Sequence, residues 1–325
     1  MLDRYHRTID YLRISLTDRC NLRCVYCMPE EGVRWVPHHA ILSYEQLLRL
    51  CRIFAGLGLK KIKLTGGEPL VRPGVAGLIR ELKEIDGIEN VTLTTNGVLL
   101  SEQLPGLVEA GLDGVNISLD AVDEAIFAAL TRRPGAGKVL GAVHDALAVP
   151  GLNVKINCVP MAINESQLVP LATLAKDARL AVRYIEMMPI GMGKTMAPLG
   201  DAQVRAKLEE AFGPLTPCGE KLGNGPCSYF TLPGFTGRIG FISAMSHQFC
   251  DSCNRVRLTA SGFLKTCLQY ERGVDLLALM DHGADDDRLR EAMEQAIFEK
   301  PACHHFNDTS NENDLEEHNM SQIGG

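Results

Sequence analysis

The chain has 325 residues, of which 46% are hydrophobic and 22% are charged, and these proportions are typical of a globular protein with a sizeable core. No apolar run approaches the ~20 residues of a membrane span, and residues 1–10 resemble neither a secretory signal nor a transit peptide, so we expect a cytoplasmic protein without a membrane partner. The formal net charge of −7 argues against a general nucleic-acid partner but allows a local basic pocket for a small polyanion.

Strand-like and helix-like segments alternate through the first 190 residues. The first strand, 11–16, is followed by a helix over 43–56 with Ser43 as its N-cap. The second strand, 61–65, ends at the sequence Gly66-Gly67-Glu68-Pro69. Further strands are predicted at 90–94, 113–118, 153–159 and 181–186, with helices near 75–85, 102–110, 138–148 and 165–177. Six such units favour a parallel sheet with helical crossovers, and because the usual closed barrel has eight, we predict a partial (β/α)6 barrel.

Glycine and proline become frequent after Pro189 and interrupt the periodic pattern. In this region the sequence predicts a helix near 201–212 and short strands from 228 to 268. We therefore divide the chain into residues 1–190, the partial barrel, and residues 191–325, a smaller α+β part that closes the barrel mouth.

The chain contains eleven cysteines, more than packing alone suggests. In a reducing compartment, clustered cysteines indicate metal binding and not disulfides. The first set, Cys20, Cys24 and Cys27, forms a C-x3-C-x2-C array just after the first strand. Three thiolates can hold three irons of a [4Fe-4S] cubane and leave the fourth iron open for a chelating substrate. A zinc site is the alternative, although structural zinc sites usually have four ligands.

This cysteine loop resembles that of the radical S-adenosylmethionine superfamily, including the aromatic Tyr26 before the third cysteine. The segment Gly66-Gly67-Glu68-Pro69 is similar to the Gly-Gly-Glu-Pro segment of the same superfamily. Glycine permits close backbone approach there, and the carbonyls at the strand end can accept hydrogen bonds from the ammonium of a methionine moiety. A lone Gly-Gly could instead be an ordinary turn. The resemblance implies a partial barrel that holds one [4Fe-4S] cluster and S-adenosylmethionine.

A second set, Cys250, Cys253 and Cys267, forms a C-x2-C-x13-C array in the C-terminal part. Zinc is a stronger alternative here, because a fourth ligand could come from His247, Cys218, Cys227 or Cys303. Arg255 and Arg257 alternate along the strand that follows Cys253, so they share one face near the metal. Two arginines beside an open iron site indicate an anionic substrate, and a solvated edge strand is the alternative.

The segment from Cys250 to Ala260 resembles the GTP 3′,8-cyclase family of molybdenum cofactor biosynthesis. The same resemblance extends to Leu12–Cys20, Lys155-Ile156-Asn157, Lys300-Pro301 with His304, and the terminal Ile323-Gly324-Gly325. It implies two [4Fe-4S] clusters and the conversion of GTP to (8S)-3′,8-cyclo-7,8-dihydroguanosine 5′-triphosphate. In that family the first cluster cleaves S-adenosylmethionine to a radical that takes hydrogen from C3′ of GTP, and the second cluster binds the guanine base.

The resemblance also implies which residues bind the two small molecules. The residues expected to contact S-adenosylmethionine are Tyr26, Gly67, Ser118 and Met188. On composition alone, a core position is the more common role for a methionine such as Met188. The residues expected to bind GTP are Arg13, Lys63, Thr94, Lys155, Arg255 and Arg257. Several cations suit a triphosphate, because arginine forks match phosphate oxygens.

The expected catalytic residues are Arg13, Arg255, Arg257, Gly324 and Gly325. The two terminal glycines would enter the active site because they have no side chain, while Ile323 anchors the tail. The cysteines that match no cluster position are predicted to be small buried residues: Cys51, Cys158, Cys218, Cys227 and Cys303.

The expected partners are a low-potential electron donor of the flavodoxin or ferredoxin type and a downstream pterin-forming enzyme, and a homodimer is left open. Two other functions also stay open. A peptide-modifying radical S-adenosylmethionine enzyme with an auxiliary cluster would usually need more C-terminal cysteines and no free Gly-Gly end. A non-catalytic metal- or nucleotide-binding protein would hold zinc and leave S-adenosylmethionine uncleaved.

Overall fold

The computed structural model describes residues 1–220, 222–306 and 315–324. Strands and helices alternate in the first part of the chain: β1 (Tyr11–Ser15), α1 (Tyr44–Gly56), β2 (Lys61–Thr65), α2 (Val75–Lys83), β3 (Asn90–Thr95), α3 (Leu100–Glu109), β4 (Gly114–Ser118), α4 (Glu124–Thr131), α5 (Ala136–Leu147), β5 (Asn153–Cys158), α6 (Leu168–Thr173) and β6 (Ala181–Ile185). The second part contains α7 (Asp201–Phe212), β7 (Thr216–Cys218), β8 (Ser228–Thr231), β9 (Arg238–Ile242), β10 (Arg255–Leu258), β11 (Phe263–Lys265), β12 (Gly273–Asp275), α8 (Leu276–Asp281), α9 (Asp286–Phe298) and α10 (Met320–Ile323).

All twelve strands belong to one sheet, in the order β12-β11-β10-β1-β2-β3-β4-β5-β6-β9-β8-β7. The first six strands are parallel neighbours in chain order, which confirms the predicted partial barrel. The C-terminal part adds a parallel strand at each side, β10 beside β1 and β9 beside β6. The outer strands are antiparallel, and the sheet stays open between β12 and β7.

The two faces of the sheet differ because side chains alternate along each strand. Leu12, Ile14, Ile62 and Leu64 are fully buried in the core that includes the helices. The residues between them point to the other face, where polar and charged side chains line a cavity. The same alternation continues in β3, β4 and β5, so the sheet gives the cavity a polar wall supported by an apolar layer.

Helix α1 illustrates how local sequence sets the helical layer. The Ser43 hydroxyl accepts a hydrogen bond from Gln46 N at 3.2 Å, and Gln46 Oε1 accepts one from Ser43 N at 2.8 Å. This reciprocal capping box fixes the start of the helix and confirms Ser43 as its N-cap. The face that includes Leu47, Cys51 and Phe54 is buried against the sheet.

Besides the short α10, the sequence missed three helices, α4, α8 and α9. Each begins at an aspartate whose carboxylate accepts a hydrogen bond from the backbone N–H three residues on: Asp123, Asp275 and Asp285. In the part of the chain that the structure describes, no helix is long and apolar enough to cross a membrane.

Candidate active site

A cavity of about 650 Å³ lies against the polar face of the sheet. Every predicted site residue outside the C-terminal tail lines it: Arg13, Cys20, Cys24, Tyr26, Cys27, Lys63, Gly67, Thr94, Ser118, Lys155, Met188, Cys250, Cys253, Arg255, Arg257 and Cys267. The structure therefore brings the two cysteine sets and the predicted cations to one space. Met188 is half-buried at the cavity wall and does not lie in the core.

The first cysteine loop follows β1 and packs against the glycines at the end of β2. Gly67 N donates to Thr17 O at 2.6 Å, and Glu68 N donates to Arg19 O at 2.8 Å. A Cβ atom added at Gly67 would lie 2.5 Å from the Arg19 carbonyl oxygen, and one at Gly66 would lie 2.6 Å from that of Thr17. Only glycine permits this approach, so Gly66 and Gly67 hold the cysteine loop in place.

The three thiols of this loop lie in a largely desolvated environment. Burial raises the pKa of Cys20 to about 11 and that of Cys27 to about 12, and it also raises the pKa of Cys24 well above its usual range. Leu22 N and Asn96 Nδ2 approach Cys20 Sγ at 3.4 and 3.8 Å. Because only the thiolate binds metal, a cationic group that enters this loop must displace protons from thiols that are otherwise neutral.

Two buried carboxyl groups flank the predicted S-adenosylmethionine residues, and the sequence did not single them out as site residues. The Tyr26 hydroxyl donates to Asp120 Oδ2 at 2.7 Å, and burial raises the pKa of Asp120 to about 6. Glu68 accepts from Thr95 Oγ1 at 2.7 Å and from Asn96 N at 2.7 Å, while burial raises its pKa to about 7. Asp120 comes two residues after Ser118, which ends β4. This position just beyond a strand end could have identified Asp120 as a site residue from the sequence.

Cys250 and Cys253 precede β10 and Cys267 follows β11, so the second cysteine set lies at one end of this antiparallel strand pair, beside the N-terminal segment. Burial alone would raise the pKa of Cys253, but the positive charges of Arg255 and Lys300 and the hydrogen bonds from Arg255 together lower it to about 6. Arg7, another residue that the sequence missed, donates to Cys250 O at 2.8 Å and pairs with Asp3 at 2.7 Å. Cys253 is therefore largely a thiolate at neutral pH, in a loop fixed by buried contacts.

In neither cysteine set do all three sulfur atoms lie within 4.8 Å of one another. Among the described residues, the only three metal-binding side chains whose ligand atoms all lie within 4.8 Å of one another are Glu271, Glu316 and His318. Each cysteine set therefore contains at least one sulfur pair farther apart than that. Two thiolates on one zinc ion lie about 3.8 Å apart. A single zinc ion would therefore require that pair of sulfur atoms to move closer together.

A group of buried and partly buried cations occupies the wall of the cavity on β1, β2, β5 and β6. Burial lowers the pKa of Lys63 far below its usual range, and the charges of Arg183, Arg13 and Lys155 lower it further. Burial, with the charge of Arg183, also lowers the pKa of Lys155 to about 8. The sequence did not identify Arg183, although its place in β6 was the available signal. These four side chains are arranged to receive a polyanion.

The C-terminal tail reaches the same site. Ile323 and Gly324 are buried, and the Gly324 carbonyl oxygen accepts a hydrogen bond from Arg257 Nη1 at 2.6 Å. Gly325 lies outside the described residues, so its predicted role stays a prediction. Of the cysteines without a predicted ligand role, Cys51 and Cys158 are buried as expected, whereas the expectation of full burial is wrong for Cys218, Cys227 and Cys303, which are partly exposed.

Comparison with known proteins agrees with this geometry. The Radical SAM superfamily model matches residues 14–175, and the Molybdenum Cofactor Synthesis C model matches residues 180–306. A GTP 3′,8-cyclase of Syntrophomonas wolfei is 45% identical over 331 residues and covers 100% of both chains. This chain belongs to the GTP 3′,8-cyclase family. GTP 3′,8-cyclases of Petrotoga mobilis and Clostridium perfringens are 44% and 41% identical, also over 100% of each chain.

The cyclase family is part of the radical S-adenosylmethionine superfamily, so one [4Fe-4S] cluster and S-adenosylmethionine are its cofactors. Among solved structures, SuiB of Streptococcus suis bound to its precursor peptide SuiA superposes with a TM-score of 0.60. That match is 14% identical and covers 91% of this chain and 66% of SuiB, so the chain spans about two thirds of that protein's length. At this identity the likeness shows the fold alone.

Proposed function

We propose that the chain converts GTP to (8S)-3′,8-cyclo-7,8-dihydroguanosine 5′-triphosphate, the first step of molybdenum cofactor biosynthesis. One observation carries the proposal: a single cavity contains both cysteine sets together with a wall of buried and partly buried cations. A radical generator and a polyanionic nucleotide can then occupy neighbouring positions, which the reaction needs. The full-length relatives favour this activity over peptide modification or non-catalytic binding.

At the first cysteine set, Cys20, Cys24 and Cys27 would hold the [4Fe-4S] cluster, which when bound supplies the electron that cleaves S-adenosylmethionine. The residues proposed to bind that molecule are Tyr26, Gly67, Ser118 and Met188. The hydrogen bond from Tyr26 to Asp120 orients the tyrosine within the cysteine loop. Gly67 keeps the strand end close enough to the loop for both to contact one ligand.

At the cavity wall formed by β1, β2, β5 and β6, cationic side chains would bind the triphosphate. We assign this role to Arg13, Lys63 and Lys155, as the sequence predicts, and we add Arg183. Arg183 donates to Asn157 Oδ1 through Nε at 3.0 Å, which fixes its guanidinium beside Lys63 and Lys155. Binding a polyanion would relieve the repulsion that lowers the pKa of Lys63, so the free energy of binding includes that relief. Thr94 at the cavity wall would add a neutral hydrogen-bonding group.

At the second cysteine set, we propose that Cys250, Cys253 and Cys267 hold a second [4Fe-4S] cluster whose open iron binds the guanine base. Two observations support it: the wide spacing of the sulfur atoms and the low pKa of Cys253. Burial, followed by the charges of Arg13 and Arg255, lowers the pKa of Arg257. Arg255 and Arg257 thus extend the cationic wall of the cavity as far as this second site.

The remaining assignments concern partners and organisation. The proposal includes an electron donor of the flavodoxin or ferredoxin type, a downstream pterin-forming enzyme and an association of two copies. It also includes the division of the chain at residue 190. Because β9 and β10 join the same sheet as β1–β6, that boundary would separate the part with the second cysteine set from the radical-generating part within one continuous sheet, and the substrate would contact both parts.

The proposed function is tested by an anaerobic reaction of reconstituted protein with dithionite, S-adenosylmethionine and GTP, followed by mass spectrometry. We expect 5′-deoxyadenosine together with the cyclised triphosphate, and about eight irons per chain from two cubanes. ATP in place of GTP should give no cyclised product. Protein that contains about one zinc and no second cluster, or that cyclises ATP equally well, would contradict the proposal.

A further inference from the structure

The residues 315–324, here called the tail segment, connect the two cysteine sets. Leu315 forms an antiparallel bridge with Tyr270, three residues after Cys267. Ser321 is buried and lies beside the Cys27 thiol. The tail segment therefore begins beside the second cysteine set and passes the first.

A buried ion pair fixes the beginning of the tail segment. Lys265 Nζ contacts the Glu316 carboxylate, and the two side chains are 3% and 1% exposed. Lys265 Nζ also donates to Tyr270 O at 2.7 Å, and Glu316 N donates to Gln269 O at 2.7 Å. The other Glu316 oxygen accepts hydrogen bonds from His318 N and Nδ1, each at 2.8 Å. The carboxylate is thus held from both sides.

The end of the tail segment is held by the residue that faces Lys265 across the β10–β11 strand pair. Arg257 of β10 and Lys265 of β11 are direct partners in the antiparallel register. Arg257 donates to the Gly324 carbonyl oxygen at 2.6 Å. Two facing residues, one near Cys253 and the other near Cys267, therefore hold the two ends of the segment.

We propose that the Lys265–Glu316 pair is a latch that docks the tail segment against the active site, and that Glu316 is a positioning residue for cyclisation. Helix α10 has only four residues, too few to hold a conformation without tertiary contacts. A buried ion pair favours one docked position of the tail segment, because any other docked position would leave Lys265 or Glu316 buried without its counterion. When the segment undocks as a whole, water reaches both ions, so the latch can open for substrate entry.

The test compares Glu316→Gln with Glu317→Gln in the full chain. The two substitutions make the same chemical change at adjacent positions, but Glu317 is exposed whereas Glu316 is buried. We expect Glu316→Gln to lower cyclised product at least about tenfold, because Lys265 then has no counterion in the docked state. Iron content and the electron paramagnetic resonance signals of the clusters should match those of the unsubstituted protein. Glu317→Gln should behave like the unsubstituted protein in every measurement.

Two further measurements separate a latch from a general folding defect. Amide hydrogen exchange of residues 315–324 should accelerate in Glu316→Gln and stay unchanged elsewhere. A synthetic peptide of residues 315–325, added in excess, should restore part of the product, which it could not do for a misfolded enzyme. If Glu316→Gln is recovered in poor yield, the double variant Lys265→Gln with Glu316→Gln leaves no unpaired buried charge and should show the same faster exchange.

The latch is wrong if Glu316→Gln keeps the product level and the exchange rates of the unsubstituted protein, or if the peptide restores nothing. The inference about turnover rests on the proposed function, but the exchange measurement does not. Unsubstituted protein that makes no cyclised product would therefore refute the proposed function, while the exchange of residues 315–324 would still decide whether the pair docks the tail.

Discussion

Replacing Lys63 with methionine should stabilise the ligand-free protein and at the same time weaken its binding of GTP. Lys63 is 5% exposed, and after burial the charges that lower its pKa are those of Arg183, Arg13 and Lys155. An ammonium in this position has lost its water and is repelled by its neighbours. Methionine has nearly the same length and no charge, so it removes both costs and leaves the packing similar.

The two effects have different sizes. Replacing a buried charge with an apolar side chain of similar volume should raise the free energy of unfolding by about 1–3 kcal/mol. A hydrogen bond between an ammonium and a phosphate oxygen contributes about 1.5–3 kcal/mol, so the Kd for GTP should rise about 10- to 150-fold. Because the pKa of Lys63 is lowered in the free protein and a bound triphosphate would raise it, binding should be accompanied by proton uptake at Lys63.

The measurement is calorimetric titration of GTP in buffers of different ionisation enthalpy, together with thermal unfolding. Proton uptake on binding should fall in Lys63→Met. The matched control is Lys61→Met on the same strand, where Lys61 pairs with Asp10 at 2.7 Å and is 27% exposed. That change should lower stability by at most about 1 kcal/mol and leave GTP binding unaltered. A Lys63→Met protein that is less stable and binds GTP normally would refute the reasoning.

Three further predictions concern the other parts of the site. Cys24→Ser should abolish formation of 5′-deoxyadenosine, whereas Cys253→Ser should retain much of it and lose the cyclised product, as mass spectrometry of both products will show. Burial, with the charge of Arg183, lowers the pKa of Lys155 to about 8, so the cation that attracts phosphate is lost above that pH. GTP affinity measured by titration should therefore fall as the pH rises through about 8, and Lys155→Met should remove that dependence. At Gly324 φ is 78° and an added Cβ would lie 2.9 Å from Thr65 Oγ1, so Gly324→Ala should lower product severalfold while iron content stays constant.

The repeating half of the fold could be predicted from the sequence because its signal is local. Each strand from β1 to β6 is an apolar or alternating run followed by a helical pattern, and the structure confirms these units. The places of β9 and β10 could not be predicted in this way. They pair with β6 and β1, so β10 lies beside a strand that precedes it by more than 200 residues, and no local pattern encodes that distance.

The same distinction applies to the site. The cysteines, Gly67 and the arginine pair of β10 occur in short motifs whose chemistry can be recognised in the sequence. Arg7, Asp120 and Arg183 were missed because each is an isolated charged residue in the sequence. They acquire a role only when the fold brings Arg7 to the Cys250 carbonyl, Asp120 to the Tyr26 hydroxyl and Arg183 to Lys63.

The electrostatics of the cavity explain why these features occur together. At the first cysteine loop, burial keeps the thiols protonated. At the cationic wall around Lys63, the positive side chains repel one another when no anion is bound. The repulsion among the cations lowers the stability of the ligand-free protein and would be relieved by a bound triphosphate, while an iron cluster would bind the thiols as thiolates in place of their protons. Sites that conflict with the general rules of folding are the ones expected to have a function. The loaded protein should therefore unfold at a higher temperature than the ligand-free protein, and GTP should protect it less when Lys63 has been replaced.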